Sequence, residues 1–128
     1  MTQHTAGKGI VLFAHGSRDP LWHQPIEAVA AQLRQAHPSV PVRCAYLELS
    51  TPDLAGACQE LLALGLRQLV VLPLFLGVGR HAREDLPRQI AALRAQYPAI
   101  QIQLEPAVGE NPLLLRLLAQ IASDAIRA

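Results

Sequence analysis

The chain has 128 residues, enough for one domain that buries roughly two-thirds of the surface its unfolded form exposes. Hydrophobic residues at 51% against 16% charged exclude a disordered chain and call for a packed core. A formal charge of +1 supplies no global field for nucleic acid, and no apolar run approaches the ~20 residues of a membrane span, so neither partner is expected.

Residues 1–8 are polar and hold no apolar leader segment, which reads as a disordered N-terminus on a cytoplasmic protein. The run Gly9 to Ala14 predicts a first strand, and it delivers the chain into AHGSRDP. Leu21 to His37 predicts a helix, with Ile26, Val29, Ala30 and Leu33 at helical spacing and a stop before Pro38. A second strand over Val42 to Leu47 runs into ELSTP. Asp53 is a natural N-cap for a second helix whose stripe is Leu54, Ala57, Cys58, Leu61 and Leu62, with Gly65 as its stop. Gln68 to Phe75 predicts the third strand, followed by LGVGRHARED and a helix from about His81 to Gln96. Ile100 to Glu105 alternates apolar residues with Gln101 and Gln103, as a half-exposed edge strand does, and a last helix covers about Asn111 to Ile126.

Strand then helix, four times over, predicts a single three-layer α/β domain with right-handed crossovers and a parallel sheet covered on both faces. Ligands of such sheets bind beyond the carboxyl ends of the strands, which selects the loops His15 to Pro20, Glu48 to Pro52, Gly77 to Glu84 and Pro106 to Pro112.

His15 follows the first strand and His81 follows the third, so adjacent strands would let two imidazoles converge. Two neutral imidazoles with open positions suit cobalt, iron, nickel or zinc in transit better than a closed structural cage does. Glu48, ending the second strand, is a carboxylate placed to accept protons there. For each, a plainer reading stands beside it: a backbone-bonded histidine in a capping loop, or a surface acid before Asp53. His4, His23 and His37 read as structural or neutral, and Trp22 and Tyr46 as packing residues or platforms for a flat ligand. Cys44 in a strand and Cys58 in a helix read as buried free thiols. Ten of the 11 basic residues are Arg, whose forked donors suit carboxylates.

Gly77, Gly79 and Ala82 also spell G-x-G-x-x-A, and Glu105 lies where a ribose-binding acid would, so a dinucleotide module is a rival reading. A phosphatase using His15 is disfavoured, because Ala14 stands where an arginine clamp would precede the nucleophile.

AHGSRDP, the LE of AYLELSTP, PLFLGVGRHAREDLP and the later GENPLL together resemble the CbiX and SirB group of class II tetrapyrrole chelatases, over Ile10 to about Leu118. The length is similar to that of the short members, which pair as homodimers, and the resemblance implies a four-stranded flavodoxin-like parallel sheet in the order 2-1-3-4. The resemblance implies insertion of a divalent metal as substrate, Co²⁺ or else Fe²⁺, into sirohydrochlorin for cobalamin or siroheme, with no organic cofactor. His15 and His81 would take the family's metal-binding positions and Glu48 its acidic position. Arg18, Arg80 and Arg83 would meet the substrate's carboxylates, or else pair with Asp19, Glu84 or Asp85. A non-catalytic tetrapyrrole or metal carrier would use the same pocket.

Overall fold

The structure, a computed structural model, describes residues 7–128. Its strands are β1 (Lys8–Ala14), β2 (Val42–Tyr46), β3 (Gln68–Pro73) and β4 (Gln101–Leu104). Its helices are α1 (Gln24–Ala36), α2 (Leu54–Leu62), α3 (Arg80–Gln96) and α4 (Pro112–Arg127). The sheet is parallel throughout, in the order β2-β1-β3-β4. From β1 the chain moves out to β2, then crosses back over β1 to β3. Strand order therefore reverses between β1 and β3, where a parallel sheet opens a crevice at its carboxyl end.

Side chains alternate between the two faces of each strand. One face sets Val11, Phe13, Ala45, Leu69, Val71 and Ile102 against Leu54, Ala57, Cys58 and Leu61 of α2 and Ala82, Leu86, Ile90 and Leu93 of α3, all buried. The other sets Leu12, Ala14, Val42, Cys44 and Tyr46 against α1. The second helix is capped as its sequence predicts, with Asp53 accepting from Gly56 N at 2.8 Å. Beyond its end, Gly65 takes a left-handed φ of 86°.

Four details differ from the sequence reading. Lys8, expected in a disordered N-terminus, opens β1 in register with Gln68; residues 1–6 of that segment lie outside the described residues. The first helix starts at Gln24 rather than Leu21, with a 3₁₀ turn over Pro20–His23 ahead of it. Pro25 has no N–H to give Leu21 O, so the turn before it closes by shorter bonds. β3 is buried on one face only, with Val70 and Leu72 half-buried on the other.

The fourth difference is larger. α4 is strongly amphipathic yet contains no buried residue, and its main packing within the chain is on the 3₁₀ turn Val108–Glu110 just before it. The layer expected over the β3 and β4 side of the sheet is thus incomplete, and Leu113, Leu117 and Ile121, one helical turn apart, all face solvent.

Candidate active site

β1 is the central strand, and its hydrogen bonding continues past its end: Leu47 N donates to Ala14 O at 2.8 Å, and Leu74 N to Phe13 O at 2.7 Å. The loops after β1, β2 and β3 are therefore drawn together where the strand order reverses. His15 emerges between the other two. Its Nδ1 lies 3.3 Å from Glu48 Oε1, and its ring stacks on Phe75 with centroids 4.6 Å apart and planes tilted by 36°.

The backbone forces this approach. A Cβ on Gly16 would lie 1.7 Å from Glu48 O, so only glycine lets the two loops touch. Ser50 ties them further, since its Oγ donates to Ser17 O at 2.9 Å and accepts from Ser17 N at 3.1 Å. The remaining lone pair faces His23 Nε2 at 2.9 Å, which fixes that nitrogen as the N–H donor. His23 also stacks on Tyr46, with centroids 4.6 Å apart. On the other side, Gly109 N donates to Phe75 O at 3.0 Å, and a Cβ there would lie 1.6 Å from Leu76 O. The fourth loop thus braces the third.

Both members of the His15–Glu48 pair are about half exposed, at 45% and 42% of their side-chain surface. Such a pair contributes at most about 1 kcal/mol, so it does not explain why the fold holds these groups together. Its chemistry does offer a reason. In the tautomer with the proton on Nδ1, the ring donates to Glu48 and keeps the Nε2 lone pair for a metal, the arrangement in which a carboxylate orients a ligating imidazole. Tyr46 and the two thiols do not compete. Burial, with the Glu27 carboxylate adding to it, raises the Tyr46 phenol to about 12, and its hydroxyl is buried without a hydrogen-bond partner. Burial likewise raises Cys44 and Cys58 to about 11, so both stay protonated at neutral pH. Among the described residues, no group of three or more His, Cys, Asp or Glu side chains gathers into a cage. A metal on His15 would keep open positions.

His81 is exposed in the first turn of α3, after an N-cap at Gly79. The described residues include no hydrogen bond or ion pair from it to His15 or Glu48. Gly77 and Gly79 have open space where a side chain would stand. Arg80 pairs with Glu84 at 3.2 Å on the exposed face of α3, and Arg83 lines a cleft of about 150 Å³ with Glu105 and Glu110. Arg18 is exposed beside Asp19, which is itself engaged as cap to Leu21 N at 3.0 Å.

Leu49, beside Glu48, takes a left-handed φ of 63°, which costs a side-chain-bearing residue about 1–2 kcal/mol. Sequence reasoning missed this, along with Phe75 beneath His15 and the Ser50–His23 tie. None has a motif of its own; the nearest signal was that each lies in or beside a selected loop.

The CbiX family profile matches residues 9–125, nearly the whole chain. The chain belongs to the CbiX family. Among family relatives, it is 35% identical over 79 residues to the sirohydrochlorin cobaltochelatase of Methanothermobacter thermautotrophicus, covering 62% of this chain and 54% of that protein. It is 31% identical over 107 residues to that of Methanosarcina barkeri, covering 82% of each. The crystal structure of the CbiX protein from Marinobacter aquaeolei VT8 superposes with a TM-score of 0.82 at 32% identity, covering 94% of this chain and 98% of that one. The chain thus spans about half to four-fifths of these two curated relatives. CbiX membership agrees with the four-stranded 2-1-3-4 sheet and with the resemblance carried by the two histidine loops.

Proposed function

We propose that this CbiX protein inserts a divalent metal, Co²⁺ or else Fe²⁺, into sirohydrochlorin. The observation that carries the reading is the imidazole–carboxylate pair of His15 and Glu48, held open at the strand-order reversal. Insertion exchanges two pyrrole N–H protons for one M²⁺. The metal is a substrate here, and it must lose its waters to labile ligands before it meets the macrocycle. His15 Nε2 is such a ligand, and His81 is the second in this reading. Glu48 accepts protons leaving the macrocycle and passes them to water, to which it is half exposed. Arg18, Arg80 and Arg83 meet the substrate's carboxylates, Arg80 after exchanging its partner Glu84.

The test is anaerobic absorption spectroscopy of sirohydrochlorin with Co²⁺, Fe²⁺ or Ni²⁺ and catalytic amounts of protein. Many turnovers per chain are expected. Conversion that stops at one equivalent would make the protein a carrier instead.

A homodimer is the second part of the proposal. Leu113 and Leu117 of α4, with Ile26 and Val29 of α1 and Leu74, line an apolar groove of about 360 Å³, and the exposed Ile121 continues the α4 stripe one turn further. An apolar helix face of this kind is characteristic of a surface that a second protein covers. The double variant Leu117→Glu with Ile121→Glu should shift the sedimentation coefficient from dimer to monomer. A variant that sediments as the wild type does would remove α4 from the interface.

A further inference from the structure

Three large apolar side chains stand exposed around the His15–Glu48 pair: Leu49 at 59%, Leu76 at 64% and Trp22 at 50%. Each is tied to the pair. Leu49 follows Glu48; Leu76 follows Phe75, the ring beneath His15; and Trp22 Nε1 donates to His15 O at 2.7 Å. Backbone contacts hold two of these loops in place, at Gly16 on Glu48 O and Gly109 on Leu76 O. Leu49 is the decisive member. Its left-handed backbone costs free energy, and its side chain, more than half exposed, recovers little by burial within the chain. Strain of that kind persists where the displayed side chain has a use.

We infer that Leu49, Leu76 and Trp22 form an apolar platform that receives the flat face of the tetrapyrrole, setting its inner nitrogens over His15 and Glu48. This rests on the chelatase reading above. The charge pattern fits the same occupant, because Arg18 lies in the loop that leads to Trp22, and Arg80 and Arg83 lie on the helix that follows Leu76. A tetrapyrrole with peripheral carboxylates is likewise apolar across its face and anionic around its edge.

The test uses the full chain with Leu49→Gly, and with Leu76→Ala as a second variant. Glycine tolerates the left-handed conformation, so Leu49→Gly should melt at or above the wild-type temperature. KM for sirohydrochlorin should nevertheless rise about five- to tenfold in each variant, as expected when one half-covered leucine is lost from a binding face. Co²⁺ binding measured by calorimetry without tetrapyrrole should be unchanged. An unaltered KM for sirohydrochlorin in both variants overturns the platform while leaving the chelatase reading intact. Loss of the wild-type dimer in Leu49→Gly would also overturn it, by assigning Leu49 to a contact between copies. If the wild-type protein itself neither binds nor metallates sirohydrochlorin, both readings fail together, and that is distinguishable from the first outcome.

Discussion

His15→Ala should abolish metal insertion while leaving the fold intact. Removing a residue that merely orients a metal ligand typically costs 10- to 100-fold, so loss of the ligand itself should cost at least about 100-fold in kcat/KM. Stability should change by less than about 1 kcal/mol, because the ion pair with Glu48 is half exposed. His81→Ala should give the same loss of insertion, through the second metal position. Glu48→Gln separates the roles: it should slow insertion more than it weakens metal binding, since an amide cannot accept the macrocycle's protons. Steady-state rates and Co²⁺ titrations on the three variants check this. Wild-type rates in both histidine variants would mean that the metal passes elsewhere, and equal losses of rate and affinity in Glu48→Gln would end its assignment as proton acceptor.

Gly16→Ala should damage the protein far more than its single added methyl would suggest. Its methyl would sit 1.7 Å from Glu48 O and 2.9 Å from Ser50 Oγ, and the nearer obstacle is backbone, which cannot rotate away. Overpacking of this sort costs about 1–3 kcal/mol, a fall in melting temperature on the order of 5–10 °C for a domain of this size. The same displacement parts His15 from Glu48, so activity should fall beyond what the lost stability explains. Gly77→Ala is the control, since no atom stands within 4 Å of the added methyl. Thermal melts of the two variants side by side settle the matter, and equal melting temperatures would contradict the close approach.

The sheet was legible because its evidence is local and repeated. Each apolar run of strand length ends at a loop, each helix has its own period, and handed crossovers leave few orders for four parallel strands. The meeting of His15 and Glu48 was legible for the same reason: both follow neighbouring strands and must emerge at one end. α4 shows the limit. Leu113, Leu117 and Ile121 form an apolar stripe on the helix, but a stripe reads alike in a sequence whether it meets its own sheet or a second chain. Leu49 shows another. Nothing in ELSTP marks a left-handed leucine, because that backbone angle is imposed by the loops around it. The convergence of His81 on His15 is a third case, resting on strand adjacency, which fixes where loops begin and not where side chains end.

The central place of β1 also affects how the protein is made. β1 is synthesised before the other three strands, yet its pairing with β3 joins Lys8 to Gln68, 60 residues later. At about 5–20 residues per second, that edge waits roughly 3–12 s for its partner during synthesis. Glu48 precedes Phe75 in the chain, so the carboxylate is available to His15 before the ring that supports it. Until then the apolar strand Val11 to Ala14 has one open edge, and the nascent chain is most exposed to mispairing at the strand that later carries the site.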